Sequence, residues 1–508
     1  MIIRKGGRAD VGLLLEGTFP FVSGGVSSWV NQIIRGFPQL SFAICFIGSR
    51  RQDYGDMRYE LPDNVVHLEA HFIHDADSGA PVAPRQGDAA ITEKIRDLHE
   101  YFRCPHQQQT ENPTAAIIEA FREGRYTEED FLYSKSSWNY ITQQYRERCT
   151  DPSFVDYFWT VRIMHAPLWQ LIRIAEKFVD VGVYHTISTG YAGYLGALLR
   201  QRTGKPLLLT EHGIYTKERR IDLFQAQWIS DNRGIMEKDN TEIAYFRQMW
   251  VRFFDVLGRE CYHSADRIFA LFEANRQRQI ADGAPAERTA CIPNGIDLPR
   301  FAALQEQREP GVPLTVCFIG RVVPIKDIKT FIRAMRTVVN QLPDVEIWIA
   351  GPEEEDPEYA RDCHNLVTGL GLSGHVSFLG MQSVDALLPK VGVLVLSSIS
   401  EALPLVVLEA NAAGVPCVTT DVGSCRELIE GGSPEDKALG ASGAVVGIAD
   451  PSALAQAVTG LLTSSERWHA AQQAGIERVR RYYTEAGMLA QYREVYEHAL
   501  QGSRGGAA

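Results

Sequence analysis

Two acids, Glu401 and Glu409, stand seven residues apart within Ser397–Glu427 (SSISEALPLVVLEANAAGVPCVTTDVGSCRE), with Pro404 between them. Proline fits the first turn of a helix, where its missing N–H costs nothing, and fits poorly further in. The spacing therefore predicts a helix over Pro404–Ala413. Glu409 falls in its second turn, and Glu401 precedes it on a loop after the apolar strand Val391–Leu396. The two acids then lie at different depths around a helix N-terminus, whose free N–H groups and dipole attract anions. A phosphate-bearing ligand fits between them. Taken singly, each acid reads as a solvated turn residue or a satisfied helix residue, so the pair gains meaning only from its company.

That company includes cations. The strand Leu314–Ile319 runs into Gly320-Arg321, Lys326 follows, and a helix begins at Ile328. Two cations within six residues of a strand end form the local basic cluster that an anion would need. Nearer the start, the strand Val11–Leu15 leads through EGTFPFVSGG to a helix over Val26–Phe37, with Gly24 and Gly25 letting backbone approach a ligand at the helix start. His212 stands at the carboxyl end of the strand Pro206–Thr210, where α/β proteins place ligand contacts, although a lone histidine is more often structural. Asp75-Ala76-Asp77 has the Asp-x-Asp form that can hold a metal, but it lies in a polar loop (HDADSGAP) that turn composition explains.

The chain that must position these groups has 508 residues, enough for at least two domains with separate cores. Its formal net charge of −12 argues against a general polyanion-binding surface, and so against nucleic acid. The nine cysteines show no metal-ligand spacing and sit in apolar contexts such as FAICFIG and LTVCFIG, as expected in a reducing compartment. No apolar run reaches the ~18 residues of a membrane span, and MIIRKGGRAD lacks a signal-peptide core, so a cytoplasmic protein is expected. Alternating strands and helices predict an α/β chain of two Rossmann-like, doubly wound domains facing each other across a cleft. The first, residues 1–305, is interrupted at about 71–180 by an aromatic-rich helical insertion, read as a subdomain with its own core or, alternatively, as an acceptor or partner surface. Phe301–Val312 reads as the linker, the second domain covers 306–484, and a last helix covers 485–500.

In such a cleft Arg321 and Lys326 can neutralise a diphosphate, the helix start offers N–H donors, Glu409 can accept both hydroxyls of a ribose, and Glu401 can hold a polar sugar. Ala402, Leu403 and Leu405, around that helix start, complete the candidate donor site. This constellation suits transfer from a nucleoside-diphosphate sugar, with fixed cations acting where other enzymes use a metal ion. No metal or other cofactor is therefore expected.

Gly320-Arg321…Lys326, Glu401-x7-Glu409, Gly414-Val415-Pro416, Ser23-Gly24-Gly25-Val26 and Ile292-Pro293-Asn294-Gly295-Ile296-Asp297 together resemble the retaining glycosyltransferases of the GT-B fold, family 4. More narrowly, LLEGTFPFVSGGVSSW (Leu14–Trp29) and LTEHGIYTKERR (Leu209–Arg220) resemble the cytoplasmic glycosyltransferases of Pel exopolysaccharide systems. The resemblance implies that Arg321 and Lys326 hold the donor diphosphate, Glu409 the ribose and Glu401 the transferred sugar, with His212 beside the reacting centre. It also implies a UDP-sugar donor (UDP-glucose, UDP-GalNAc or UDP-GlcNAc), a polysaccharide acceptor, an inner-membrane synthase complex as partner, and a final helix, Glu485–Leu500, that crosses back onto the first domain. The rivals are a nucleotide-sugar sensor without turnover, a sugar epimerase or phosphorylase of the same fold, and a transferase acting on another glycan or a lipid.

Overall fold

The computed structural model describes residues 1–75, 83, 85–103, 119–121, 123–226, 228–233 and 243–505. The chain divides into two units, one of Met1–Phe269, Arg278–Ala290 and Val495–Ala508, the other of Ala270–Gln277 and Cys291–Glu494.

The first unit is built on strands β1 (Ile2–Arg4), β2 (Arg8–Glu16), β3 (Phe42–Gly48), β4 (Val65–Phe72), β5 (Asp180–Thr186), β6 (Leu207–Glu211), β7 (Arg267–Ala270) and β8 (Thr289–Cys291). They form one sheet in the order β1-β4-β3-β2-β5-β6-β7-β8. Every residue of β3 (FAICFIG) is buried, the continuous apolar run expected of a parallel strand covered on both faces. β2 pairs in parallel with β3 on one side and β5 on the other, so the strand order reverses between β2 and β5. β1, at three residues too short to stand out in the sequence, is an antiparallel edge strand on β4.

The helical segment between β4 and β5 differs from the expectation of a separate core. Its helices Ala89–Arg103, Lys135–Arg148 and Phe154–Lys177 bury Leu98, Tyr140, Tyr157 and Trp169 in the same apolar cluster as Cys45 of β3 and Leu195 beside the sheet. The reason lies in Phe154–Lys177, whose second half buries Leu171, Ile172, Ile174 and Ala175 and therefore cannot stand apart from the sheet's helices.

The second unit holds β9 (Thr315–Ile319), β10 (Glu346–Ala350), β11 (Val376–Gly380), β12 (Val393–Leu396), β13 (Cys417–Thr420) and β14 (Gly443–Val446) in the order β11-β10-β9-β12-β13-β14. All of the registered pairs are parallel, and the order reverses between β9 and β12. The segment read as a linker is instead structured. Asp297 caps a short helix, Leu298–Ala302, and Phe301 and Leu304 are buried in the second unit's core. Gln305 donates to the Ala412 carbonyl at 2.7 Å, and Arg308 donates to the Leu388 and Val391 carbonyls at 2.8 Å. Its polar, Gly- and Pro-containing composition hid two anchoring apolar residues.

The turn Ile292–Asp297 grips the start of the final helix, Glu485–Gly505. Ile296 N–H donates to the Tyr483 carbonyl, and Glu485 N–H to the Ile296 carbonyl. A Cβ on Gly295 would lie 2.3 Å from the Thr484 carbonyl, so no other residue fits. Further along this helix, Tyr496 is buried in the first unit, its hydroxyl 2.7 Å from His185 Nδ1.

One buried ion pair ties the second unit together. Arg478, fully buried, donates to Asp436 Oδ1 at 2.6 Å and to the carbonyls of Ile429 and Gly440 at 2.8 and 2.7 Å. Removing the cation strands the Asp436 carboxylate, so Arg478→Ala is expected to cost about 3–5 kcal/mol and lower Tm by roughly 10 °C. Calorimetry checks this, and Arg478→Met with Asp436→Leu should recover part of the loss because it removes both charges.

Candidate active site

In the second unit the candidate site is assembled where β9 and β12 diverge. Beyond β9 the chain passes Gly320 and Arg321 and makes a tight turn at Pro324–Lys326, after which Asp327 caps the helix Ile328–Gln341. The loop beyond β12 is stitched to that turn. Ile399 N–H donates to the Ile325 carbonyl at 2.8 Å, and Ser397 Oγ to the Lys326 carbonyl at 2.9 Å. These bonds bring Lys326 Nζ to 2.5 Å from Glu401 Oε1, which also accepts from Ser398 Oγ at 2.6 Å. The lysine and the glutamate, assigned from the sequence to different parts of a ligand, are thus direct partners. Arg321 forms an exposed pair with Glu355, at 2.6 and 2.7 Å to its two oxygens. A pair so open to water holds its partners weakly.

The helix after Glu401 runs Leu405–Ala412 rather than Pro404–Ala413. Pro404 is its N-cap, in extended conformation at φ −75°, ψ 106°, one residue ahead of the expected place. Ala402 is fixed by its carbonyl, which accepts from Ser424 N–H, and Gly423 (φ +54°) packs so closely that a Cβ there would lie 2.3 Å from the Ala402 oxygen. Leu403 points into the apolar core, while Leu405 is half-buried against it. Glu409, in the second turn, has a different setting from Glu401. Burial pushes its carboxyl up to about 6 against the attraction of Arg300, with Asp385 adding to the rise. Arg300 is itself held by Asp385 at 2.9 Å.

The first unit contains a cavity of 870 Å³ at the carboxyl ends of its strands, bordered by Glu16, Ser188, Glu211 and His212. Glu16 ends β2 and Ser188 follows β5, so the cavity opens where the strand order reverses. His212 is 7% exposed, and among the described residues neither of its ring nitrogens has a hydrogen-bond partner. Burial lowers its pKa to about 4, so the ring is neutral at neutral pH. The Trp29 ring packs edge-on against it at 4.8 Å. By contrast, Glu211 is saturated, accepting from Tyr262 Oη, Tyr215 N–H, Gln279 Nε2 and Thr189 Oγ1, while burial pushes its pKa up.

Other cavity groups were not singled out from the sequence. Glu16 accepts from Tyr215 Oη at 2.7 Å and from Ala192 N–H at 3.1 Å. Arg219 lies over the rings of Tyr215 and Phe254, at 5.2 and 5.3 Å. The available signal was an acid closing a leucine run, as in LLLE at Glu16 and LLLTE at Glu211. Gly24 and Gly25 do start the helix Gly25–Gly36, and a Cβ on either would meet nothing within 4 Å.

Asp75 accepts from Arg51 N–H at 3.2 Å, and Asp77 lies outside the described residues. Among the described residues, Cys45, Glu69 and His71 have potential ligand atoms within 4.8 Å of one another. Burial pushes the Glu69 carboxyl up, but contacts to His71 and His67, at 3.1 and 3.3 Å, overcome this and hold it low, so these polar groups are already partnered within the cluster.

Two parallel, doubly wound sheets, each with polar groups gathered at its strand-order reversal, define an α/β protein of the GT-B fold. Residues 9–287 match the family described as a domain of unknown function (DUF3492), and residues 300–478 match glycosyl transferases group 1. The phosphatidyl-myo-inositol mannosyltransferase of Mycolicibacterium smegmatis is 31% identical over 339 residues, 64% of this chain and 72% of its own. The D-inositol 3-phosphate glycosyltransferase of Geodermatophilus obscurus is 28% identical over 306 residues, 56% of this chain and 61% of its own. The chain belongs to the group 1 glycosyltransferase family, with an amino-terminal half of the DUF3492 type. It spans about half to three fifths of the length of the first curated relatives it matches, at 61%, 54% and 48%. Among solved structures, sucrose-phosphate synthase from Thermosynechococcus elongatus has a TM-score of 0.56 at 17% identity, covering 97% of this chain and 100% of its own. Anabaena HepE in complex with UDP has a TM-score of 0.57 at 14% identity, covering 96% of this chain and 100% of its own. At such identities these two likenesses establish the fold.

The buried imidazoles generate a pH prediction. His212 and His165 are lowered to about 4 and His185 to about 3, each mainly by burial, against about 6.5 in an unfolded chain. Groups with depressed folded pKa values contribute stability that is full above about 6.5 and is lost as pH falls toward the folded values. The melting temperature should therefore drop as pH falls from about 6.5 to 4, and the His212 ring resonances should stay those of a neutral imidazole until pH approaches about 4. A His212 ring that titrates near 6.5 would show that it faces water.

Proposed function

We propose that the chain is a retaining glycosyltransferase that takes a hexose or N-acetylhexosamine from a UDP-sugar and adds it to a growing exopolysaccharide, in the manner of the Pel system's cytoplasmic enzyme, PelF. The observation that carries the reading is the Lys326–Glu401–Ser398 cluster at the reversal point of the second sheet, with Arg321 close by in sequence and free to exchange its exposed partner. Anabaena HepE, which shares the fold, has been solved with UDP and with UDP-glucose.

The proposed division of labour follows from how each group is held. Lys326 has three N–H donors and spends one on Glu401, leaving others for a diphosphate oxygen. Arg321 can leave Glu355 at small cost, because exposed ion pairs contribute only about 0–1 kcal/mol, and turn its planar fork to phosphate. Charge builds on the departing diphosphate during transfer, so cations fixed there favour the transition state over the ground state. In that role they take the place of a metal ion, and neither a metal nor a cofactor is needed. Glu401 is assigned to the sugar, Glu409 to the ribose hydroxyls, and His212 to the chemical step. Among the described residues no helix is long and apolar enough to cross a membrane, and we assign the enzyme to the cytoplasmic side of the inner membrane, working with a polysaccharide synthase complex.

The names of the curated relatives offer a second acceptor class, phosphorylated inositol. The first unit's cavity does not favour it, since its carboxylates (Glu16, Asp53, Glu211 and Glu218) outnumber its guanidinium groups, Arg50 and Arg219.

Three measurements test the reading. Lys326→Ala and Arg321→Ala should each weaken UDP-sugar binding or turnover by roughly tenfold or more, since charge-assisted bonds to phosphate contribute about 1.5–3 kcal/mol; unchanged affinity in both variants removes the diphosphate assignment. His212→Ala should keep UDP affinity and lose turnover, whereas Glu409→Ala should lose UDP affinity, and activity should persist in excess chelator.

Glu409 adds a pH signature. Its carboxyl, raised to about 6, accepts hydroxyls best when ionised, so UDP-sugar affinity should fall as pH drops below that value. A UDP-sugar carries its diphosphate as a diester with no group titrating there. Glu409→Gln should abolish the dependence, and calorimetry across the range decides it.

A further inference from the structure

The helix Phe154–Lys177 presents an apolar stripe to solvent. Val155, Trp159 and Ile163, spaced four residues apart, are 63%, 52% and 46% exposed. One helical turn per step puts the three in line along the helix. A stripe of this kind, left in water on a helix whose other side is buried, needs a partner.

Aromatic rings extend the stripe at one end. Trp138, 50% exposed, meets Phe158 edge-on at 5.6 Å, and Phe158 meets Trp159 at the same distance. The Arg162 guanidinium lies over the Phe158 ring at 5.0 Å and the Trp159 ring at 5.6 Å, bracing both. At the other end the stripe runs into the cavity. Trp159 and Ile163 border a recess of 130 Å³ together with Trp228 and Trp250, and Ile163, Trp228 and Trp250 also line the 870 Å³ cavity. Trp228 is 65% exposed and packs edge-on against Trp250 at 5.6 Å.

We infer that this path, from Trp138 over Trp159 to Trp228, is a binding track for an uncharged oligosaccharide whose end enters the cavity. The inference rests on the transferase reading above and gives its acceptor a chemical class and a route. A sugar ring has an apolar C–H face that stacks on an aromatic ring and hydroxyls around its rim. The recess offers both, since Asp156, Thr160 and Ser230 stand among its aromatic groups. Continuity is the second argument, because the track ends in a cavity where His212 has two ring nitrogens that find no partner among the described residues and can meet a hydroxyl-bearing ligand. The excess of carboxylates in that cavity selects against an anionic chain.

The test uses the full-length protein and uncharged oligosaccharides, glucans and N-acetylhexosamine oligomers, each from disaccharide to hexasaccharide. UDP affinity and slow hydrolysis of the UDP-sugar are measured alongside. In the unaltered chain, acceptor KM should fall about tenfold or more with length in at least one series, as successive rings reach further aromatic contacts. Trp138→Ala and Trp159→Ala, changes at half-exposed positions, should flatten this dependence while UDP affinity stays within about twofold, and Trp138→Ala, at the far end of the track, should also leave the disaccharide KM within about twofold. Three outcomes overturn the track: a KM independent of length in every series, an equal rise in KM at all lengths in the variants, or loss in the variants of binding to phosphatidylglycerol vesicles with no change in acceptor kinetics. Absence of UDP binding and donor hydrolysis in the unaltered chain would instead remove the transferase reading itself.

Discussion

A parallel sheet with right-handed crossovers can reverse its strand order at one place, and there the flanking connections pass to opposite faces. The carboxyl ends of the two strands at that place are left uncovered. In the second unit the reversal lies between β9 and β12, and the loops leaving those strands are the ones that carry Lys326 and Glu401. In the first it lies between β2 and β5, where Glu16 and Ser188 open the cavity. Both polar centres thus follow from topology, and the side chains exploit positions that the backbone cannot fill.

The electrostatics of the second unit show how an acidic chain holds two cations beside its strand ends. An unpartnered cation beside a helix N-terminus would suffer repulsion from the dipole and the cost of partial burial. Lys326 avoids this by resting on Glu401, and Arg321, in the open, rests on Glu355. The two pairs differ in exposure, 19% and 13% for the side chains of the first against 54% and 50% for the second. Screening by water makes the outer pair exchangeable, while the inner pair fixes geometry. One cation is therefore anchored and the other can move.

Much of this was legible in the residues. Buried parallel strands announce themselves as apolar runs, and the groups that follow such a strand, Gly320-Arg321…Lys326 and His212, sit at its carboxyl end by construction. Pro404 located the helix between the acids to within one residue. What escaped notice depends on partners distant in the chain. Phe301 and Leu304 look like stray apolar residues of a linker until the second core is present to receive them. The insertion's aromatic residues give no hint that they join the first sheet's core, since periodicity reports a buried face and not what buries it. The Lys326–Glu401 contact spans 75 positions and is made by loop stitching that no local pattern encodes.

The two halves of the chain differ in what they share with other proteins, and the physics suggests why. Residues 300–478 match a broad transferase family, whereas residues 9–287 match a domain of unassigned role. A nucleoside diphosphate sets a fixed demand: cations for phosphate, a carboxylate for ribose and a helix start nearby, so one arrangement can serve many chains. An acceptor sets no common demand. In the first unit the requirement of the fold stops at the strand ends, and part of the cavity wall is supplied by Ile163 from the insertion and Trp228 and Trp250 from the segments after β6. Those segments lie outside the sheet, where length and composition can change without disturbing strand pairing. The core alone does not require the insertion to be aromatic on its solvent side, so that face can differ between chains that keep the same sheet.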